Sequence, residues 1–70
     1  MDNQLKELRS RYGLSQTRAA IRAGVAQGRW CAYEAGARPT LATAKRIATA
    51  FNVTLETVWQ KDAIATLRRW

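Results

Sequence analysis

The sequence predicts a small all-α protein built from five helices. Along its 70 residues, apolar side chains recur at the three- and four-residue spacing of helix faces, and no segment alternates apolar and polar residues as a half-buried strand does. Glycines and a single proline, Pro39, divide the chain into short segments. Because this length suits one small core, we predict a single domain over residues 1–70.

The first two helices are each bounded by a capping residue and a glycine. Leu5, Leu8 and Tyr12 define the apolar face of the first helix. The second helix has a face of small residues at Ala19, Ala20 and Ala23. The predicted boundaries are Asp2 or Asn3 and Gly13 for the first helix, and Ser15 and Gly24 for the second.

The third helix is predicted from about Gln27 to Glu34. Trp30 and Tyr33 lie three residues apart and face inward, which favours a core role over base stacking. The outward face carries small or polar residues: Gln27, Gly28, Cys31 and Ala32, with Arg29 at its edge. Two short helices separated by a turn at Gly24 are typical of a helix-turn-helix, whose second helix enters the DNA major groove.

The last two helices complete the predicted bundle. Gly36 closes the third helix, and Arg38-Pro39 forces an extended segment before Thr40 caps the fourth. The apolar stripe of the fourth helix is Leu41, Ala44, Ile47, Ala48 and Phe51. Thr54 caps a fifth helix that contains Leu55, Val58 and Trp59 and that we expect to extend through residues 60–70.

Composition favours a polyanionic partner and argues against catalysis. Twelve Lys+Arg against five Asp+Glu give a net charge of +7, and there is no histidine. Charge alone would also suit RNA or an acidic membrane. Because Cys31 is the one cysteine, neither an intrachain disulfide nor a Cys/His metal site is expected. We expect no enzyme activity, cofactor, small-molecule ligand or membrane segment, and we interpret the chain as a cytoplasmic protein, nucleoid-associated when bound to DNA.

The sequence resembles the phage-repressor-like (Cro/XRE) family over residues 4–59. The matching residues are Leu5, Leu8, Arg9, Gly13-Leu14-Ser15-Gln16, Ala20, Gly24-Val25, Trp30, Glu34, Gly36, Arg38-Pro39-Thr40, Ile47-Ala48, Phe51, Val53 and Leu55. The resemblance implies a lambda-repressor-like bundle whose helix-turn-helix is formed by the second and third helices. Two departures are Ala26, where Ser or Thr usually caps the third helix, and Trp30, which replaces a smaller aliphatic residue.

The resemblance also implies roles for individual residues. Gln27 would present its amide to adenine, braced by Gln16, which also bonds a phosphate. Gly28 would allow close approach, Ala32 would meet a thymine methyl group, and Arg29 would reach guanine or a phosphate, or else remain a solvated cation. The expected phosphate-contacting or positioning residues are Gln16, Thr17, Arg18, Arg38 and Thr40. Arg9 and Glu34 would form a structural ion pair.

The leading functional hypothesis is a prokaryotic transcriptional regulator, a repressor of the phage or mobile-element type. It would bind a palindromic operator on double-stranded DNA as a homodimer. The candidate dimer contacts are Trp59, Ala63, Ile64, Leu67 and Trp70, which alternatively fold back onto their own core. Two other functions stay open, an antitoxin-like module that binds a protein partner and a non-specific basic nucleic-acid binder.

Overall fold

The chain folds into six helices in a computed structural model that describes residues 1–69. Trp70 lies outside the described residues, so its predicted dimer contact does too. The helices are α1 Leu5–Arg11, α2 Gln16–Ala23, α3 Gln27–Glu34, α4 Leu41–Ala50, α5 Leu55–Val58 and α6 Lys61–Arg68. Within residues 1–69 the extended pairing is limited to one isolated antiparallel bridge between Asn3 and Trp59. The all-α prediction is therefore confirmed.

The prediction of one fifth helix continuing through residues 60–70 was wrong. The backbone is extended at Trp59 (φ −121°, ψ 146°) and again at Gln60, and α6 then begins at Lys61. Trp59 pairs with Asn3, and the amide of Gln4 donates to the carbonyl of Val58 at 2.9 Å. These contacts with the N-terminal segment stop the helix and turn the chain, so that α6 packs back on the bundle.

One apolar core holds the six helices together. Its largest fully buried side chains are Trp30, Trp59, Phe51, Leu5, Ile47, Leu67 and Val58. The rings of Trp30 and Phe51 lie 5.7 Å apart between centroids, so the large side chain on α3 packs against the end of α4. The alanines of α2 at 19, 20 and 23 are buried in the same core, and their small size permits the close approach of α2.

The C-terminal end of α4 is held by residues of α2 and of the turn after α1. Tyr12 donates from its hydroxyl to the carbonyl of Phe51 at 2.7 Å, and the two rings meet edge to face. Arg22 donates from Nε to the carbonyl of Ala50 at 3.0 Å, and its guanidinium lies 4.4 Å from the centroid of the Tyr12 ring. Together, these contacts of Tyr12 and Arg22 attach α2 and the turn after α1 to the C-terminal end of α4.

Candidate nucleic-acid interface

The turn between α2 and α3 has the geometry of a compact helix-turn-helix. Ser15 caps α2, accepting from the amide of Arg18 at 3.2 Å. Gly24 ends the helix in the left-handed conformation (φ +72°), and the amide of Val25 donates back to the carbonyl of Ala20 at 3.0 Å. Because an L side chain is strained at this φ, glycine favours the tight turn of three residues that joins α2 to α3.

The exposed face of α3 carries the four residues expected to read bases. Gln27, Gly28, Arg29 and Ala32 are all exposed, whereas Trp30 and Tyr33 are buried. A Cβ added at Gly28 would meet nothing within 4 Å beyond its chain neighbours and the nearby backbone of α3, so the surface here is open. Burial of both aromatic rings removes them from base stacking, and α3 presents a thin, polar surface to a partner.

The start of α3 lacks a side-chain cap. Ala26 occupies the N-cap position with extended backbone and offers no acceptor to the first amides of the helix. These amides would otherwise be satisfied by a Ser, Thr, Asp or Asn side chain. The beginning of α3 is therefore an exposed set of N–H donors next to Gln27.

Glu34, at the end of α3, accepts four hydrogen bonds and joins three helices. Its Oε2 accepts from Arg9 Nε at 2.6 Å and from the indole N–H of Trp30, which lies one turn before it. Its Oε1 accepts from Arg9 Nη2 and from Gln16 Nε2, both at 3.3 Å. Four bonds match the roughly four lone-pair sites of a carboxylate. The Arg9–Glu34 ion pair therefore lies within a larger network.

Burial and hydrogen bonding act on Glu34 in opposite directions. Its side chain is only 8% exposed, and this desolvation alone would raise the pKa of the carboxyl group. The hydrogen bonds from Arg9, Trp30 and Gln16 outweigh it, so that the pKa of Glu34 falls below its ordinary value. The bond to Glu34 likewise raises the pKa of Arg9. Glu34 is consequently a stable anion at neutral pH.

Gln16, which is partly exposed, is hydrogen-bonded within the protein through both polar atoms of its amide. Nε2 donates to Glu34, and Oε1 accepts from the thiol of Cys31 at 3.2 Å. Within residues 1–69 no hydrogen bond joins Gln16 to Gln27, so the direct brace that the resemblance implies is not formed in this state. The expected pairing of the two glutamines is replaced by a contact with Cys31 that sequence reasoning missed.

The expected phosphate-contacting residues surround α3 but differ in how they are held. Thr17 and Arg18 are exposed at the start of α2. Thr40 caps α4, its Oγ1 accepting from the amide of Thr43 at 3.1 Å. Arg38 is exposed, and its Nη2 donates to the carbonyl of Thr66 near the end of α6 at 2.6 Å. Arg38 thus links the loop after α3 to α6, a contact the sequence did not indicate.

A cleft of about 310 Å³ separates the start of α3 from α4. The cleft is lined by Gly24, Val25, Ala26, Arg29, Tyr33, Thr40, Thr43 and Arg46. Arg46 was not singled out in the sequence, yet its guanidinium reaches toward the carbonyl of Gly24 at 3.5 Å. It brings a cation from α4 to the same turn that positions α3, and only the packing of α4 reveals this proximity.

Three of the candidate dimer contacts are instead core residues. Trp59, Ile64 and Leu67 are buried in the chain's own core at 1–3% exposure. Their prediction as dimer contacts is therefore corrected. Because α6 turns back at Trp59 and Gln60, its apolar face covers the bundle instead of a second subunit, which is the alternative that the sequence left open. Ala63 is half-buried at the margin of this face.

Among residues 1–69, no group of three or more His, Cys, Asp or Glu side chains is arranged to hold a metal ion. None of the helices described is long and apolar enough to cross a membrane.

Comparison with protein families identifies the domain. A family model described as a helix-turn-helix domain matches residues 3–58. The match includes α1 to α5 and ends where the chain turns into α6. The chain belongs to this helix-turn-helix family. Comparisons with curated proteins and with solved structures found no match.

Proposed function

We propose that this protein is a sequence-specific double-stranded DNA-binding regulator of transcription. The observation that carries the proposal is the exposed face of α3, where Gln27 stands beside the small residues Gly28 and Ala32. Such a face can enter the major groove without steric obstruction, and a glutamine amide offers the donor and acceptor that an adenine edge requires. The net charge of +7 supplies the attraction to phosphate.

The finer assignment is a Cro/XRE-type repressor of phage or mobile-element origin, without enzyme activity. It would act in the cytoplasm and associate with the nucleoid through DNA. Only a few side chains on α3 have base-reading chemistry, so one copy would read a short site. We therefore include a homodimer on a palindromic operator, because two half-sites one helical turn apart lengthen the sequence that is read.

Selection of bound duplexes from a random pool tests the proposal. An enriched palindrome supports specific readout by a dimer, and an enriched site without symmetry supports specific readout by one copy. Salt-sensitive binding with no enriched sequence would instead indicate a non-specific basic binder. Sedimentation of the protein with and without the enriched duplex measures how many copies bind, and a heteromer recovered without DNA would favour the antitoxin-like function.

Arg38→Ala should weaken binding to all duplexes by a similar factor. Arg38 is exposed in the loop between α3 and α4, where it is proposed to contact a phosphate. Losing one phosphate contact should reduce the slope of log K against log salt by about one. Binding of the enriched and a scrambled duplex is measured by fluorescence anisotropy at several salt concentrations.

The matched control for Arg38→Ala is Lys61→Ala, which removes one exposed positive charge at the start of α6. A slope that falls equally in both variants would show that net charge, and not a contact from Arg38, is responsible. Arg38→Ala also removes the hydrogen bond to the carbonyl of Thr66, which could lower the stability of the fold. Thermal unfolding of the variant measures this loss of stability separately from the loss of DNA affinity.

A further inference from the structure

The hydrogen bonds of Gln16 determine which group it can offer to DNA. A carboxylate only accepts hydrogen bonds, so the atom facing Glu34 must be the amide nitrogen. Oε1 then faces Cys31, and the thiol must be the donor in that contact. The orientation of the Gln16 amide is thus defined by two neighbours of fixed hydrogen-bonding polarity.

One amide hydrogen of Gln16 remains for a partner. Nε2 carries two hydrogens, of which Glu34 accepts one, while Oε1 is engaged by Cys31. Gln16 is the first residue of α2 and is partly exposed. A donor in this position suits a phosphate oxygen, which only accepts.

We infer that Cys31 is a positioning residue for DNA binding, acting through Gln16, an inference that rests on the proposed function. The thiol holds Oε1 of Gln16, and Glu34 holds one hydrogen of Nε2. The second amide hydrogen is thereby directed to a DNA phosphate. Without the thiol, the amide is held only by its 3.3 Å bond to Glu34, and it can turn about its terminal torsion so that the second hydrogen no longer points to the phosphate.

The test compares Cys31→Ala and Cys31→Val, which lack a donor, with Cys31→Ser, which keeps one. Each is made in the wild-type chain and in Gln16→Ala, and binding to the enriched and a scrambled duplex is measured. The variants without a donor should bind both duplexes about three- to tenfold more weakly, whereas Cys31→Ser stays within about twofold of wild type. In the Gln16→Ala background the Cys31 substitutions should change nothing further.

Several results would overturn the inference. One is unchanged DNA affinity in Cys31→Ala and Cys31→Val. Another is the same loss of affinity from these substitutions in the Gln16→Ala background as in the wild-type chain, since a purely structural effect does not depend on Gln16. A loss confined to the enriched duplex would indicate base reading and not a phosphate contact. If the wild-type chain binds no duplex, the proposed function fails and this inference fails with it; if it binds and the variants bind equally, only the inference fails.

Discussion

Replacing Glu34 with alanine should lower the free energy of unfolding by about 3 kcal/mol, toward the lower end of the range for breaking a buried ion pair. The variant leaves the Arg9 guanidinium and the Trp30 indole N–H without their acceptor, and it removes one partner of Gln16. Arg9 is the more exposed partner, at 19% against 8% for Glu34, so water can recover part of the loss. Chemical denaturation at pH 7 measures the change.

The control for Glu34→Ala is Glu7→Ala, which removes an exposed carboxylate from α1 and should change the stability by less than about 0.5 kcal/mol. If Glu34→Ala lowers the free energy of unfolding by less than about 1 kcal/mol, the prediction is contradicted, because a loss that small is typical of an exposed surface ion pair.

Acid titration gives an independent check on Glu34. Its pKa is lower in the folded chain than the value of about 4.3 for an unperturbed Glu. Its ionisation therefore stabilises the folded state fully above the unfolded pKa, and this contribution disappears as pH falls through the folded pKa. Glu34→Gln, which cannot ionise, should differ from wild type in the pH dependence of stability mainly below about pH 5. Parallel pH profiles would contradict the assignment.

Local signals in the sequence define α2 to α4 well, whereas the N-cap of α1 is Gln4, without a side-chain cap, and not Asp2 or Asn3 as predicted. Ser15 and Thr40 cap α2 and α4 as predicted, and Gly24 ends α2 as predicted, in the left-handed conformation. These boundaries depend on side chains and backbone preferences within a few residues, so the sequence contains the information. The break at Trp59 depends on pairing with Asn3, more than fifty positions earlier, and no glycine or proline marks it. Local periodicity cannot reveal such a contact.

The same distinction applies to the interface. The exposed face of α3 follows from helical spacing alone, and so does the burial of Trp30 and Tyr33. The hydrogen bonds from Trp30 to Glu34 and from Cys31 to Gln16 depend on rotamers and on how α2 packs against α3. Residue types indicate that these groups can bond, but only the packed structure indicates which partners they choose.

Gln27→Ala should remove most of the sequence preference while leaving weak, salt-sensitive binding. Gln27 is exposed at the first position of α3, and within residues 1–69 its side chain makes no hydrogen bond that the substitution would break. A bidentate amide–adenine contact contributes about 1–3 kcal/mol of discrimination, so the enriched duplex should lose roughly 10- to 100-fold in affinity. Binding to a scrambled duplex should change little, because phosphate contacts supply that affinity. Anisotropy titrations of both duplexes measure the ratio.

The matched control for Gln27 is Gln60→Ala, the same chemical change at an exposed position between α5 and α6. It should leave both affinities unchanged. Replacing the A·T pairs of the enriched site one at a time locates the contact. The wild-type chain and Gln27→Ala should bind with equal affinity only to the duplex in which the adenine that Gln27 reads has been replaced. If Gln27→Ala lowers both affinities equally, Gln27 contacts the backbone, and sequence reading would have to come from Arg29 and Ala32, the other exposed side chains of α3 assigned to bases.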